Sequence, residues 1–193
     1  MNINQWTDIE YLSKGNPVQI DVYHILKKHR ILDFLHKYSP ILVGTIPIDI
    51  NVADSDLDII CEVYDFDQFE FELRDRFGIY PGFTVVRRTV ESMERIKANF
   101  ICENWPIEIF GQAIPTENQN GYRHMVIEAR MLKLYGDRFK KKIIELKSRG
   151  IKTEPAFAQE LRIEGDAYQE LLRLYNCTDE ELRNLWVDSD DVA

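Results

Sequence analysis

Hydrophobic residues recur at helical spacing over residues 21–38, where Val22, Ile25, Leu26 and Leu35 fall on one side of a helix. The spacing predicts an amphipathic helix that is interrupted once along its length. Ser39-Pro40 ends the pattern, because the residue before a proline is disfavoured in the helical region.

A second helix is predicted over residues 67–77, in which Phe69, Leu73 and Phe77 are four residues apart. Asp65 or Asp67 can cap its start, and Gly78 can end it. Five runs of aliphatic and β-branched residues around this helix predict strands: 41–43, 57–63, 83–90, 95–102 and 105–110.

Beyond Gly121 the pattern becomes helical again and predicts a series of helices to the end of the chain. Pro155 fits the first turn of one of them. We therefore predict an α+β fold, with a core at residues 1–120 that includes the N-terminal helix. A C-terminal helical region at residues 121–193 is predicted to pack on that core.

Composition favours a compact protein, because 45% of the residues are hydrophobic and 30% are charged. The N-terminus lacks the features of a signal peptide, and no apolar stretch approaches the roughly 18 residues of a membrane helix. We therefore expect a cytoplasmic protein that does not bind membranes. The formal net charge of -9 opposes broad adhesion to an extended nucleic acid.

Two aspartates mark the start of the predicted strand at residues 57–63. Asp56 and Asp58 are two residues apart, so their side chains share one face about 7 Å apart, whereas Leu57 and Ile59 face a core. Glu108 repeats this alternation between Ile107 and Ile109. Carboxylates on one face repel unless a cation lies between them, so a site for Mg²⁺ or Mn²⁺ is predicted if the strands are neighbours.

Gly44-Thr45 precedes this pair and adds a candidate phosphate-binding turn. Glycine allows the backbone to approach a phosphate closely, and the threonine hydroxyl can donate a hydrogen bond to it. Alone, an Asp-x-Asp pair is more often a strand end or a helix cap, and Glu108 alone can be an exposed sheet residue. The combination is what indicates a site.

Val43-Gly44-Thr45, ten intervening residues, Asp56-Leu57-Asp58-Ile59 and a later Glu108 together resemble the nucleotidyltransferase superfamily typified by DNA polymerase beta. Ser55, directly before Asp56, is also usual in such proteins. Thr45 departs from the pattern, because glycine or serine is commoner there. The resemblance implies a mixed sheet with flanking helices, metal ligands at Asp56, Asp58 and Glu108, and phosphate contacts from Gly44, Thr45 and Ser55.

A second resemblance lies in the tail, where Gly150-Ile151-Lys152-Thr153-Glu154-Pro155-Ala156-Phe157 is followed by Gly165-Asp166-Ala167-Tyr168. These segments resemble a bacterial nucleotidyltransferase-like family that is known only as a domain of unknown function.

The resemblances imply a metal-dependent enzyme that uses Mg²⁺ or Mn²⁺ and a nucleoside triphosphate as substrate. It would move a nucleoside monophosphate to a hydroxyl of a small molecule or a protein, with Asp56, Asp58 and Glu108 as the catalytic residues. Glu108 would bind the second metal or receive the acceptor proton. The alternative is an inactive, nucleotidyltransferase-like binding or regulatory module.

The sequence leaves two possible roles open for several basic residues. Arg87 and Arg88 are adjacent on a strand and point to opposite faces, so one of them can reach the acidic cluster or a phosphate. A second group on the C-terminal helices either contacts phosphate or acceptor, or belongs to a solvated helix face: Arg123, His124, Arg130 and Lys133.

Overall fold

The computed structural model describes residues 6–186 of the 193-residue chain. Its strands are β1 Ile41–Val43, β2 Leu57–Glu62, β3 Thr84–Val90, β4 Met93–Cys102 and β5 Trp105–Gln112. Its α-helices are α1 Pro17–Lys28, α2 Ile31–Leu35, α3 Phe66–Phe77, α4 Asn120–Ser148, α5 Thr153–Glu160, α6 Ala167–Leu174 and α7 Asp179–Arg183. Short 3-10 turns lie at Glu10–Lys14, His36–Tyr38 and Thr116–Asn118.

The strands form one mixed sheet in the order β1-β2-β5-β4-β3. β2 and β5 are parallel, and the other neighbouring strands are antiparallel. A parallel pair requires a long crossover, which α3, β3 and β4 provide here. The five predicted strands are confirmed, and so are the α+β class and the mixed sheet with flanking helices.

One face of the sheet carries the main hydrophobic core. Leu57 and Ile59 of β2 and Ile107 and Ile109 of β5 are buried there, in one cluster with apolar residues of α1, α2 and α3. Residues between them point to the opposite face, because side chains alternate along a strand. We call that opposite side the carboxylate face, since it carries Asp58 and Glu108.

The predicted N-terminal helix is confirmed with its single interruption, but it begins earlier, at Pro17. Asn16 caps α1 through a capping box with Gln19. Pro17 suits the first turn because a backbone N–H at that position has no hydrogen-bond partner within the helix, so its absence in proline costs nothing. The break falls at Arg30, whose φ of 53° is left-handed, and α2 follows directly.

Helix α3 begins one residue before the predicted start and ends at the predicted residue, Phe77. The Asp65 carboxylate caps it by accepting a hydrogen bond from the Gln68 backbone N–H, and Gly78 follows its last turn. Phe69, Leu73 and Phe77 of α3 are fully buried.

The chain divides into two compact units: the chain up to Asp49 with Ser55–Tyr122, and Ile50–Asp54 with the chain from Arg123 onward. Up to Trp186, where the described residues end, the second unit is helical apart from its connections. Gly136, with a φ of 77°, separates the two segments of α4. Phe139 contacts Phe157 and Trp186 edge to ring, which ties α4 to α5 and to the segment after α7.

Some C-terminal details differ from the expectation. The hydrophobic pattern predicts a last helix over residues 180–186, whereas helix α7 ends at Arg183, and the two short 3-10 turns that flank α1–α2 have no clear sequence signal. The division at residue 120 and the packing of the helical region on the core remain predictions. No helix within residues 6–186 is long and apolar enough to cross a membrane.

The loop between β1 and β2 is anchored to the start of α1. Gln19 is buried, and its side-chain amide donates hydrogen bonds to the backbone oxygens of Ile46 and Pro47 at 2.8 and 3.3 Å. Asn16 donates to the Asp49 carboxylate. Because this loop connects Gly44 to Asp56, the first turn of α1 holds the segment that leads into the carboxylates.

We predict that Gln19→Leu lowers the free energy of unfolding by about 1–3 kcal/mol, because it leaves the buried Pro47 carbonyl oxygen without its donor and removes one of two donors from the Ile46 carbonyl oxygen. Urea denaturation followed by circular dichroism measures this change. Gln159→Leu is the matched control, since Gln159 is exposed on α5 and should change stability by less than about 0.5 kcal/mol. Equal effects of the two substitutions would contradict the anchoring role of Gln19.

Candidate functional site

The carboxylates predicted from sequence lie together. Asp58 is directly opposite Glu108 in the parallel pairing of β2 with β5, and Asp56 lies just before β2. Carboxylate oxygens from Asp56, Asp58 and Glu108 lie within 4.8 Å of one another. Asp56 is exposed, whereas Asp58 and Glu108 are half-buried, so the cluster opens to solvent on the carboxylate face.

Gly44 lies against this cluster. Its φ is +82°, and a Cβ atom built on it would be 2.8 Å from Oδ2 of Asp58. The next strand residue back, Val43, is the register partner of Asp58 in β1. A side chain at position 44 would therefore be strained and would collide with the Asp58 carboxylate, so glycine is required for two separate reasons.

Thr45 and Ser55 connect the two ends of the β1–β2 loop. The Thr45 hydroxyl donates a hydrogen bond of 3.3 Å to the Ser55 hydroxyl. The structure thus brings all three residues predicted to contact phosphates, Gly44, Thr45 and Ser55, to the edge of the carboxylate cluster. Their contact with a phosphate remains a prediction.

The sequence interpretation did not identify Lys97. Its ammonium nitrogen lies 2.9 Å from Oε2 of Glu108, across the β4–β5 pairing. The available signal is the alternation in β4, where exposed Lys97 lies between buried Ile96 and Ala98 and therefore faces the same side as Glu108.

The donor set fits a hard divalent cation. Carboxylate oxygens are the ligands that Mg²⁺ and Mn²⁺ prefer, and three of them from separate residues converge here. A site of this kind normally leaves several coordination positions for substrate phosphates and water. The openness of the cluster on the side of Asp56 is consistent with such a site.

Arg87 and Arg88 point to opposite faces, as predicted, but Arg87 does not reach the acidic cluster. It donates hydrogen bonds to Asp67 and Glu94 at 2.5 Å, on the face covered by α3. Arg88 pairs in register with Arg95, and the pair lies on the carboxylate face.

Three of the four basic residues singled out near the start of α4 make structural contacts within the second unit. Arg130 donates hydrogen bonds to the Tyr175 and Cys177 carbonyl oxygens and to Asp179, and the Arg123 guanidinium lies 5.7 Å from the Tyr175 ring centre. Only Lys133 fits the expectation of a solvated face, because it is exposed. The solvated-face interpretation is therefore wrong for Arg123, His124 and Arg130.

His124 is buried within a polar cluster of the second unit. Its ring nitrogens lie 3.2 Å from a Glu154 carboxylate oxygen and 3.0 Å from the Tyr168 carbonyl oxygen. Burial opposes ionisation of Glu154, but hydrogen bonds led by that from His124 outweigh it and lower its pKa. Burial raises the pKa of the neighbouring Glu128 carboxyl well above its usual range, and Glu154 adds to this effect.

Comparison with solved structures defines the class of fold. The chain aligns with Cid1, described as an RNA terminal uridylyl transferase, at a TM-score of 0.52 and 11% identity, covering 84% of this chain and 52% of that one. It aligns with the Cid1 poly(U) polymerase bound to MgGTP at a TM-score of 0.50 and 12% identity, covering 88% and 51%. The chain has the nucleotidyltransferase fold and spans about half the length of these structures.

The family is defined by sequence. The chain belongs to the DUF4269 family, a domain of unknown function, whose match covers residues 24–174. The occurrence of this family in bacteria remains a prediction. No curated protein matches the chain in a sequence comparison.

We predict that Gly44→Ala weakens Mn²⁺ binding by at least about tenfold, as displacement of a supporting group commonly does, because the new methyl group displaces the Asp58 carboxylate. Isothermal titration calorimetry measures the affinity.

Gly150→Ala is the matched control for this substitution. Gly150 also has a positive φ, of +87°, but a Cβ atom there meets nothing within 4 Å. Both variants should lose about 1–2 kcal/mol of stability from backbone strain, and only Gly44→Ala should lose metal affinity. Unchanged Mn²⁺ binding by Gly44→Ala would remove Gly44 from the site.

Proposed function

We propose that this protein is a metal-dependent nucleotidyltransferase that moves a nucleoside monophosphate from a nucleoside triphosphate to a hydroxyl group. The observation that carries the proposal is the convergence of Asp56, Asp58 and Glu108 within 4.8 Å, directly beside the Gly44 turn. The nucleotidyltransferase fold supports it.

Asp56, Asp58 and Glu108 would hold Mg²⁺ or Mn²⁺. The bound metal would neutralise the negative charge of the triphosphate and of the phosphorus centre during displacement. Gly44 allows the triphosphate to approach the backbone, and the Thr45 and Ser55 hydroxyls donate to its oxygens. These contacts place the α-phosphate next to the carboxylates.

The reaction is an in-line displacement at the α-phosphorus. The acceptor oxygen forms a new bond to this phosphorus, while the bond from phosphorus to the bridging oxygen of the β-phosphate breaks. Glu108 receives the proton of the acceptor hydroxyl, and pyrophosphate leaves with the electrons of the broken bond. The products are a nucleoside monophosphate ester of the acceptor and pyrophosphate.

A small molecule or a protein is the proposed acceptor. The formal net charge of -9 weakens attraction to a long polyanion, which would otherwise require a broadly basic surface. The matched Cid1 structure is described as an RNA terminal uridylyl transferase, and this chain spans only about half of its length. We therefore do not assign an RNA acceptor to this protein.

We predict that Asp58→Asn abolishes Mn²⁺ binding and nucleotidyl transfer. The substitution removes the charge of the carboxylate that lies between the Gly44 turn and Glu108 in the sheet. Calorimetry with Mn²⁺ and each nucleoside triphosphate measures binding, and release of pyrophosphate measures turnover with a panel of hydroxyl acceptors.

Asp54→Asn is the control for this charge change. Asp54 is exposed and lies outside the carboxylate cluster, so its variant should retain both properties of the unmodified protein. If the unmodified protein binds neither Mn²⁺ nor any nucleoside triphosphate, and Asp58→Asn changes nothing, the enzymatic proposal fails.

The second candidate function is a binding or regulatory module that has kept the fold without catalysis. The Lys97–Glu108 ion pair favours it, because this ammonium group already neutralises one of the three carboxylates. Thr45 also favours the binding module, because the nucleotidyltransferase pattern more commonly has glycine or serine at this position.

Lys97→Met distinguishes the two candidates. For an enzyme, we predict that this substitution tightens Mn²⁺ binding by up to roughly fivefold, since a half-exposed ion pair contributes at most about 1 kcal/mol of competition. Lys133→Met, at an exposed position of α4, should leave the affinity unchanged. Absence of Mn²⁺ binding in the unmodified protein and in both variants would favour the regulatory module.

A further inference from the structure

Arg88 and Arg95 face each other across the antiparallel pairing of β3 with β4. Arg95 is also the register partner of Gln112 in β5, four residues along from the pair of Asn99 with Glu108. Residues an even number apart on a strand share a face. Both arginines therefore lie on the carboxylate face.

Neither arginine has an anionic partner among residues 6–186. Arg87, next to Arg88, binds Asp67 and Glu94 on the other face. The Nε atom of Arg95 is buried and has no hydrogen-bond partner. This is unusual in a chain with 33 acidic and 24 basic residues, because carboxylates are abundant enough to pair with every arginine.

Like charges directly opposite each other in a sheet destabilise the pairing. An anion between two guanidinium groups removes this repulsion, and a phosphate suits it best, because its oxygens accept paired hydrogen bonds from the planar arginine fork. We propose that Arg88 and Arg95 form a phosphate-binding subsite on the carboxylate face. The phosphate belongs to the acceptor, an assignment that rests on the proposed nucleotidyl transfer.

The order of strands separates this subsite from the triphosphate. Gly44 and Thr45 follow β1 at one edge of the sheet, whereas β3 forms the other edge, and the carboxylates lie between them on β2 and β5. The triphosphate and the arginine pair thus approach the carboxylates from opposite sides.

Distance along the strand limits the size of the acceptor. Arg95 is four residues from Asn99, the partner of Glu108, which corresponds to about 13 Å along the strand. Side chains from both ends shorten this gap, so the phosphate lies several bonds from the reacting hydroxyl. A small phosphorylated molecule fits this spacing.

Inorganic phosphate in the presence of EDTA is the direct probe. Without a divalent metal the carboxylate cluster repels anions, so binding detected by phosphorus NMR or calorimetry reports the arginine pair. We expect the double variant Arg88→Gln, Arg95→Gln to bind phosphate at least about tenfold more weakly than the unmodified protein.

Arg87→Gln is the matched control, because it removes the same charge from the adjacent position on the opposite face. It should change phosphate affinity by less than about twofold, which is the effect expected of net charge alone. The single variant Arg88→Gln alters only an exposed side chain and keeps the test valid if the double variant does not fold. Equal affinities of Arg88→Gln, the double variant and the unmodified protein would overturn the subsite.

Asp58→Asn separates this inference from the proposed function. It should abolish transfer while keeping phosphate binding in EDTA, so a protein that transfers nothing can still confirm the subsite. A 5′-phosphorylated RNA hexamer is the second probe. An affinity close to that of inorganic phosphate supports a small acceptor, whereas an affinity more than about 100-fold higher contradicts it.

Discussion

The parallel pairing of β2 with β5 determines which side chains of these strands face the core and which face the candidate site. Asp58 and Glu108 are register partners, so the same alignment that buries Leu57, Ile59 and Ile107 places two carboxylates side by side. A shift of one residue in either strand would put a carboxylate into the apolar core and an isoleucine on the open face. Hydrophobic burial therefore maintains an arrangement of like charges that electrostatics alone would disperse.

Charge is distributed unevenly over the carboxylate face. Negative groups lie on β2 and β5, Lys97 lies on β4 beside Glu108, and two arginines face each other farther along β3 and β4. On the opposite face the basic residue Arg87 is compensated by acidic groups of α3 and β4. The arginine on the helix-covered side is thus paired with carboxylates, whereas the two arginines on the other side lie apart from the carboxylate cluster, an arrangement that complements an anionic substrate with a metal.

The local features of the fold could be predicted from the sequence, whereas the contacts between distant segments could not. Alternation identified Asp58 and Glu108 as outward-facing, and helical spacing and caps located α1 and α3. Nothing local specifies that β5 returns beside β2, that Gly44 lies against Asp58, or that Lys97 reaches Glu108, because these contacts join residues on separate strands. The sequence left the roles of His124 and Arg130 open for the same reason, since the residues that they contact, Glu154, Tyr168 and Tyr175, lie far along the chain.

Gln19 performs two tasks at once: it closes the capping box of α1 and holds the loop that leads to Asp56. Opening the first turn of α1 would therefore release the β1–β2 loop as well, so the two segments belong to one cooperative unit of local unfolding. Coupling of this kind is reciprocal. A ligand that orders the loop also protects the amide hydrogens of the α1 N-terminus from exchange with solvent, although it makes no contact with that helix.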